Sequence, residues 1–158
     1  MSISEPFATL VGDWSGTNRL NLSWMPDPIF ESPSTAVVRS RVGGQFVEIA
    51  YTWSYEGKPQ EGLLLFGIQK DGSATAFWTD SWHSANVLMA CKGEVTDVGA
   101  LVLFGSYPVP DHPDWGWRTD VIPKGDGFRY VMYNVSPDGD EELAVETDFV
   151  RKNQTDLN

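Results

Sequence analysis

Cysteine is almost missing from this chain of 158 residues: Cys91 stands alone. One thiol closes no intrachain disulfide and builds no Cys-based zinc site. Histidine is scarce as well, with only His83 and His112. Basic residues are outnumbered, 11 Lys and Arg against 22 Asp and Glu, for a net charge of -11. A field of that sign repels phosphate backbones and anionic lipid, so neither nucleic acid nor a membrane is an expected partner. No Ser-centred nucleophile motif, phosphate-binding Gly loop or Cys-His pair occurs. Residues 1–11 carry neither a basic stretch nor a long apolar run, so the expectation is no signal peptide, no membrane span and a cytoplasmic location.

Long helical periodicity is missing too, and what stands in its place is alternation. From Trp14 to Trp24 the even positions read Trp14, Gly16, Asn18, Leu20, Leu22 and Trp24, against Ser15, Thr17, Arg19, Asn21 and Ser23 between them. That pattern predicts a strand with one face inside and one in water. Residues 36–42 form a second strand, and Gly43-Gly44 is a tight-hairpin signal because glycine accepts positive φ. In the third, Val47, Ile49, Tyr51, Trp53 and Tyr55 share the inward face. Residues 63–69 are apolar on both faces, which predicts a strand covered on both sides or one that meets a partner. Strands follow over 75–83, 86–92, 101–107, 115–122, 128–135 and 143–151, with 108–114 left as an irregular Pro-rich loop. Ser4-Glu5-Pro6 reads as the start of a short helix capped by Ser4, which could plug one end.

The domain reading is a single unit over 1–158: a helical turn in 1–11, a barrel over 12–151 and a frayed tail over 152–158. Short antiparallel strands at this spacing mean a sandwich or a barrel. A barrel alone brings its first and last strands together, which would lay Arg151 over the indole of Trp14.

Those end residues carry a resemblance. Gly12-Asp13-Trp14 near the start, with Arg151 closing the last strand, looks like the calycin signature of lipocalins and their relatives. More of the chain resembles the bacterial lipocalin-like family DUF1579, through residues 10–16, Val42-Gly43-Gly44, Trp78-Thr79-Asp80-Ser81 and Phe149-Val150-Arg151. The resemblance implies an all-β fold, one antiparallel barrel of about ten strands, with Trp14 and Arg151 in structural roles and no established activity. Gly12, Trp14 and Gly16 also fit the opening of the nitrobindin-like haem barrels. The third Gly of that opening motif is Asn18 in this chain, and the haem-ligating His of that group comes from near the C-terminus, where this chain has none. No cofactor and no metal are therefore expected.

The aromatic content is 13%, with seven Trp, which suits a pocket lined by flat apolar side chains as well as a ring-filled core. Asp80 lies between Trp78 and Trp82 on one strand face. If that face is inward, the carboxylate stands among indoles and can anchor a ligand or act as a general base. If the strand is rotated, Asp80 is solvated or pairs with an Arg. His83, three residues on, would fall on the opposite face. Tyr51, Trp53 and Tyr55 could line a cavity, and Trp115 with Trp117 could gate its mouth. The leading expectation is a binder of a small apolar or aromatic molecule in the lumen, using Tyr51, Trp53, Tyr55, Trp78, Asp80, Trp82 and Trp117. The alternatives are a hydrolase or isomerase with Asp80 as general acid or base, a haem barrel, and a homodimeric interaction module that pairs through the apolar strand 63–68.

Overall fold

A computed structural model describes residues 5–152. Ser4, the expected helix cap, and residues 153–158 of the expected tail lie outside that range. The elements begin with α1 (Glu5–Ala8), β1 (Gly12–Asn21), β2 (Ile29–Arg41), β3 (Phe46–Tyr55), β4 (Lys58–Ile68) and β5 (Ser73–Asp80). They continue with β6 (Met89–Val95), β7 (Leu101–Val109), β8 (His112–Lys124), β9 (Gly127–Val135) and β10 (Glu141–Arg151). Each strand pairs antiparallel with the next, and β1 pairs with β10 as well as β2. The ten strands form a closed barrel with no free edge. The fold is all-β, as the alternation predicts, with one helical turn near the N-terminus.

Closure sets Trp14 opposite Arg151 in the β1–β10 register. The guanidinium lies 4.4 Å above the indole and donates to the carbonyls of Val11 and Thr9. Trp14 Nε1 donates to the Leu10 carbonyl at 2.7 Å. Gly12 makes the approach possible: a Cβ there would stand 2.6 Å from Arg151 Nη1. α1 plugs this end by burying Phe7 completely, edge-on to Phe66 at 5.6 Å. That burial contributes about 1.5–3 kcal/mol, holding a turn too short to stand alone.

Alternation survives around the barrel wherever a strand holds its pleat. Val47, Ile49, Tyr51 and Trp53 are buried along β3, and Ala74, Ala76, Trp78 and Asp80 along β5. Several expectations need correction. β1 stops at Asn21, and Trp24 is 74% exposed, because the chain turns there as Met25 N–H bonds back to the Leu22 carbonyl. Residues 108–114 are no irregular loop: β7 and β8 run on into a hairpin with Val109 opposite His112. Pro108 is tolerated because it sits at a register shift, where no ladder N–H is required. The strand expected over 75–83 ends at Asp80. On β4, Leu64 and Phe66 are buried while Leu63 on the outer face is 36% exposed, so this strand is not covered on both sides within the chain.

Candidate functional site

The end of the barrel opposite α1 carries the chemistry, and one carboxylate organises it. Asp80 is the last residue of β5 and is 3% exposed. Its Oδ1 accepts from the backbone N–H of Trp82 at 2.9 Å and of His83 at 3.3 Å. This is an Asx turn, in which the side chain replaces the sheet partners that the next residues would need. Ser84 secures it: its N–H donates to the Asp80 carbonyl at 2.9 Å, and its Oγ accepts from the Asp80 N–H at 3.1 Å. The strand therefore ends, and His83 swings back over Asp80 rather than onto the opposite face. The imidazole Nδ1 stands 3.3 Å from Asp80 Oδ1. It lies off the line of a good hydrogen bond, so this is a close polar contact without a hydrogen bond.

The second carboxylate oxygen is held from below. Tyr51 hydroxyl donates to Oδ2 at 2.8 Å and Trp53 Nε1 at 3.1 Å. Trp78 Nε1 donates in turn to the Tyr51 hydroxyl at 3.0 Å. Tyr51, Gly62 and Asp80 are opposite one another across β3, β4 and β5. Tyr51 thus has to cross the middle strand to reach its acceptor. It does so because position 62 has no side chain; a Cβ there would run into the Tyr51 ring and hydroxyl. Burial alone would raise the Asp80 carboxyl, but the His83 contact, the Trp82 N–H and the Tyr51 hydroxyl together hold it below its ordinary value. Burial, with the neighbouring Tyr130 and Asp80, pushes the Tyr51 phenol well up, so it stays a donor.

Above this floor opens a cleft of about 620 Å³. The loop 81–88 forms one side and β6 to β9 the other, with Trp78, Trp82, His83, Tyr107, Trp117 and Asn134 among its walls. Trp78 and Trp117 stack at 5.1 Å with 17° between planes, although β5 and β8 are not neighbours in the sheet. The His83 ring sits among four indoles, with centroids 4.7 Å from Trp82, 5.3 Å from Trp117, 5.8 Å from Trp78 and 5.9 Å from Trp53. Tyr107 donates to Asn134 Oδ1 at 2.6 Å. Trp117 Nε1 is buried and meets no acceptor among the described residues. A second groove, of about 450 Å³ along β4 and β5, has no aromatic wall.

Over residues 4–151 the sequence matches the family described as protein of unknown function (DUF1579). The chain belongs to the DUF1579 family. No functionally curated protein matches it. Among solved structures, Rv2717c from M. tuberculosis is similar at a TM-score of 0.67 and 14% identity, covering 96% of this chain and 98% of that one. The S-type phycobiliprotein lyase CPES from Guillardia theta is similar at a TM-score of 0.62 and 15% identity, covering 98% of this chain and 94% of that one. At such identities the likeness is one of fold.

In this DUF1579 barrel the residues singled out from the sequence divide by height. Trp78, Trp82 and Trp117 line the cleft. Asp80 lies beneath His83, with Tyr51 and Trp53 under it as donors. Tyr55 is half-buried beside Phe30 and Trp82, at 5.3 and 5.5 Å. Deeper in, Ile49, Leu64, Phe66, Leu103 and Phe128 pack into one core. The cleft therefore lies at the mouth, above these packed side chains. Trp115 is half-buried on the hairpin beside Tyr107, Val109 and His112. His83, Gly62, Tyr107 and Asn134 were not among the expected site residues. An Asp followed by Ser is a local turn signal that could have found His83; the other three show their roles only across strands. Among the described residues no three His, Cys, Asp or Glu side chains cluster as metal ligands would, and no helix is long and apolar enough to cross a membrane.

Proposed function

We propose that this protein binds a small molecule with a flat apolar or aromatic body in the cleft at the barrel mouth. The observation that carries the reading is the stacked Trp78–Trp117 pair, with Trp82 beside it, walling about 620 Å³ of space. Pockets of that size take a small organic guest, with affinity from burial against rings and orientation from a few polar groups. His83, Tyr107 and Asn134 are those groups here. The same fold in a phycobiliprotein lyase is compatible with small-molecule handling. Asp80 as a direct general acid or base is the weaker reading, because four hydrogen bonds already occupy its oxygens. A cytoplasmic setting, and no role for nucleic acid or membrane, belong to the same proposal and rest on the acidic charge and the lone buried Cys91. A homodimer through the outward side of β4 is the alternative partner, and light scattering on a dilution series decides it.

The test is a native mass spectrum of the purified protein against its denatured mass, with 4-nitroanisole titrated against tryptophan emission. A retained mass, or saturable quenching that weakens in Trp117→Ala, is expected. A bare mass together with no saturable quenching overturns the reading.

A further inference from the structure

We infer that the guest is an organic cation without N–H groups, a quaternary ammonium carried on an aromatic body. Negative charge at the mouth draws it, and the rings of Trp82 and Tyr107 hold it. This rests on the cleft being a binding site and adds the charge that the site selects. The buried carboxylate sets the sign. Every hydrogen bond that the Asp80 side chain accepts comes from a neutral donor: the N–H groups of Trp82 and His83, the Tyr51 hydroxyl and the Trp53 indole. No Lys or Arg pairs with it among the described residues, and His83 Nδ1, 3.3 Å away, makes no hydrogen bond to it. Held below its ordinary value, the carboxyl is charged, with no cation bonded to it, one imidazole ring from the cleft wall. A charge shielded from water in this way is little screened by salt.

The rim is an independent observation of the same sign. Alternate turns of an antiparallel barrel lie at one end, and those at the mouth are 22–28, 56–57, 81–88, 110–111 and 136–140. They carry Asp27, Glu56, Asp111, Asp138 and Asp140, all exposed, and neither Lys nor Arg. Arg41, Lys70, Lys124 and Arg151 lie at the other end. A rim of one sign raises the local concentration of a ligand of the other. Within the cleft wall there is no Lys, Arg, Asp or Glu. An anion is repelled by Asp80 and the rim alike, and a neutral guest gains from neither. A protonated amine brings N–H groups that need acceptors. The Asp80 oxygens are already bonded, and Asn134 Oδ1 already accepts from Tyr107. A quaternary ammonium has no N–H to leave unpaired, and its charge is attracted to aromatic faces, most strongly to indole. Trp82 stands half-buried on the side of the cleft formed by 81–88, and Tyr107 half-buried on the side formed by β7.

The experiment compares 4-nitrophenyltrimethylammonium with 1-tert-butyl-4-nitrobenzene, the same shape with a carbon in place of the charged nitrogen. Tryptophan quenching reads the binding of both, beside 4-nitroanisole. The expected result is a cation bound at least about tenfold more tightly than its neutral twin, as a desolvated cation on an aromatic face should be. Trp82→Leu keeps an apolar side chain and removes the ring, and it should cut that preference at least about threefold. Equal affinity for the twins, a preference for the neutral one, or binding of 4-nitroanisole alone overturns the inference and leaves the aromatic-guest reading standing. An undiminished preference in Trp82→Leu overturns it as well, since the cation then sits elsewhere, as in the groove along β4 and β5. No quenching by any of the three probes ends both readings. The comparison of twins on the unaltered protein decides the matter even if Trp82→Leu does not fold.

Discussion

Replacing Tyr51 by Phe tests the buried network with the least disturbance of packing. The ring stays, edge-on to Tyr130 at 5.2 Å, and one oxygen goes. Two hydrogen bonds go with it. Donation to Asp80 Oδ2 at 2.8 Å is a bond to a charged group, of about 1.5–3 kcal/mol. Donation by Trp78 Nε1 at 3.0 Å loses its acceptor, and a stranded buried donor costs about 1–3 kcal/mol. The terms share one oxygen, and Asp80 keeps the Trp53, Trp82 and His83 N–H groups. The expected loss is therefore below the plain sum, about 3 kcal/mol. In a chain of this length that lowers the thermal midpoint by about 6–12 °C. Urea unfolding followed by tryptophan emission, with an unchanged denaturant slope, measures it. Gly62→Ala reaches the same network from the other side: its methyl meets the Tyr51 ring, and overpacking of that kind costs about 1–3 kcal/mol. A loss below about 0.5 kcal/mol for Tyr51→Phe, or an unaltered midpoint for Gly62→Ala, would refute the reasoning, because neither substitution would then have touched a bond that matters.

Arg151→Ala removes the guanidinium from above Trp14 and from the Val11 and Thr9 carbonyls. It should lower stability by about 1–2 kcal/mol in urea unfolding while leaving 4-nitroanisole affinity unchanged, since the cleft lies at the other end; a weakened affinity would show that the two ends are coupled. Asp80 is held below the ordinary carboxyl value of 3.8. A carboxyl depressed in the folded state stabilises the fold above its unfolded value and loses that contribution as pH falls through the folded one. Acid unfolding profiles of the wild type should therefore steepen below 3.8 by a component that Asp80→Asn lacks, and parallel profiles would count against the network. Burial pushes the Cys91 thiol up to about 11, so an aromatic disulfide reagent at neutral pH should label it only after unfolding; prompt labelling of the native protein would contradict its buried place.

Much of the barrel was legible along the chain because a closed sheet needs only local devices. Alternation in β3 marks the inward side chains and alternation in β5 separates its two faces, while the Gly43-Gly44 turn spaces the strands. Position 108 misled because proline is a barrier inside a regular ladder, yet harmless at a register shift, and register belongs to two strands at once. Trp24 misled in the opposite sense: it continues the alternation of β1, but the turn beyond Leu22 removes it from the sheet.

The site divides along the same line. The sequence by itself determined that Trp78 and Asp80 share one face, since two residues apart on a strand is one face whatever the surroundings; that this face is the inward one was decided by the closed barrel. Only the tertiary structure decided what they meet there. Tyr51 reaches Asp80 because an empty position on β4 lies between them, and Trp117 stacks on Trp78 from a strand that is not its neighbour. His83 joins Asp80 because the carboxylate accepts two backbone N–H groups and ends its own strand. Period-two reasoning holds only while the ladder continues. Where a side chain takes over the backbone hydrogen bonds, the direction of the next residues is set by that side chain's contacts in space.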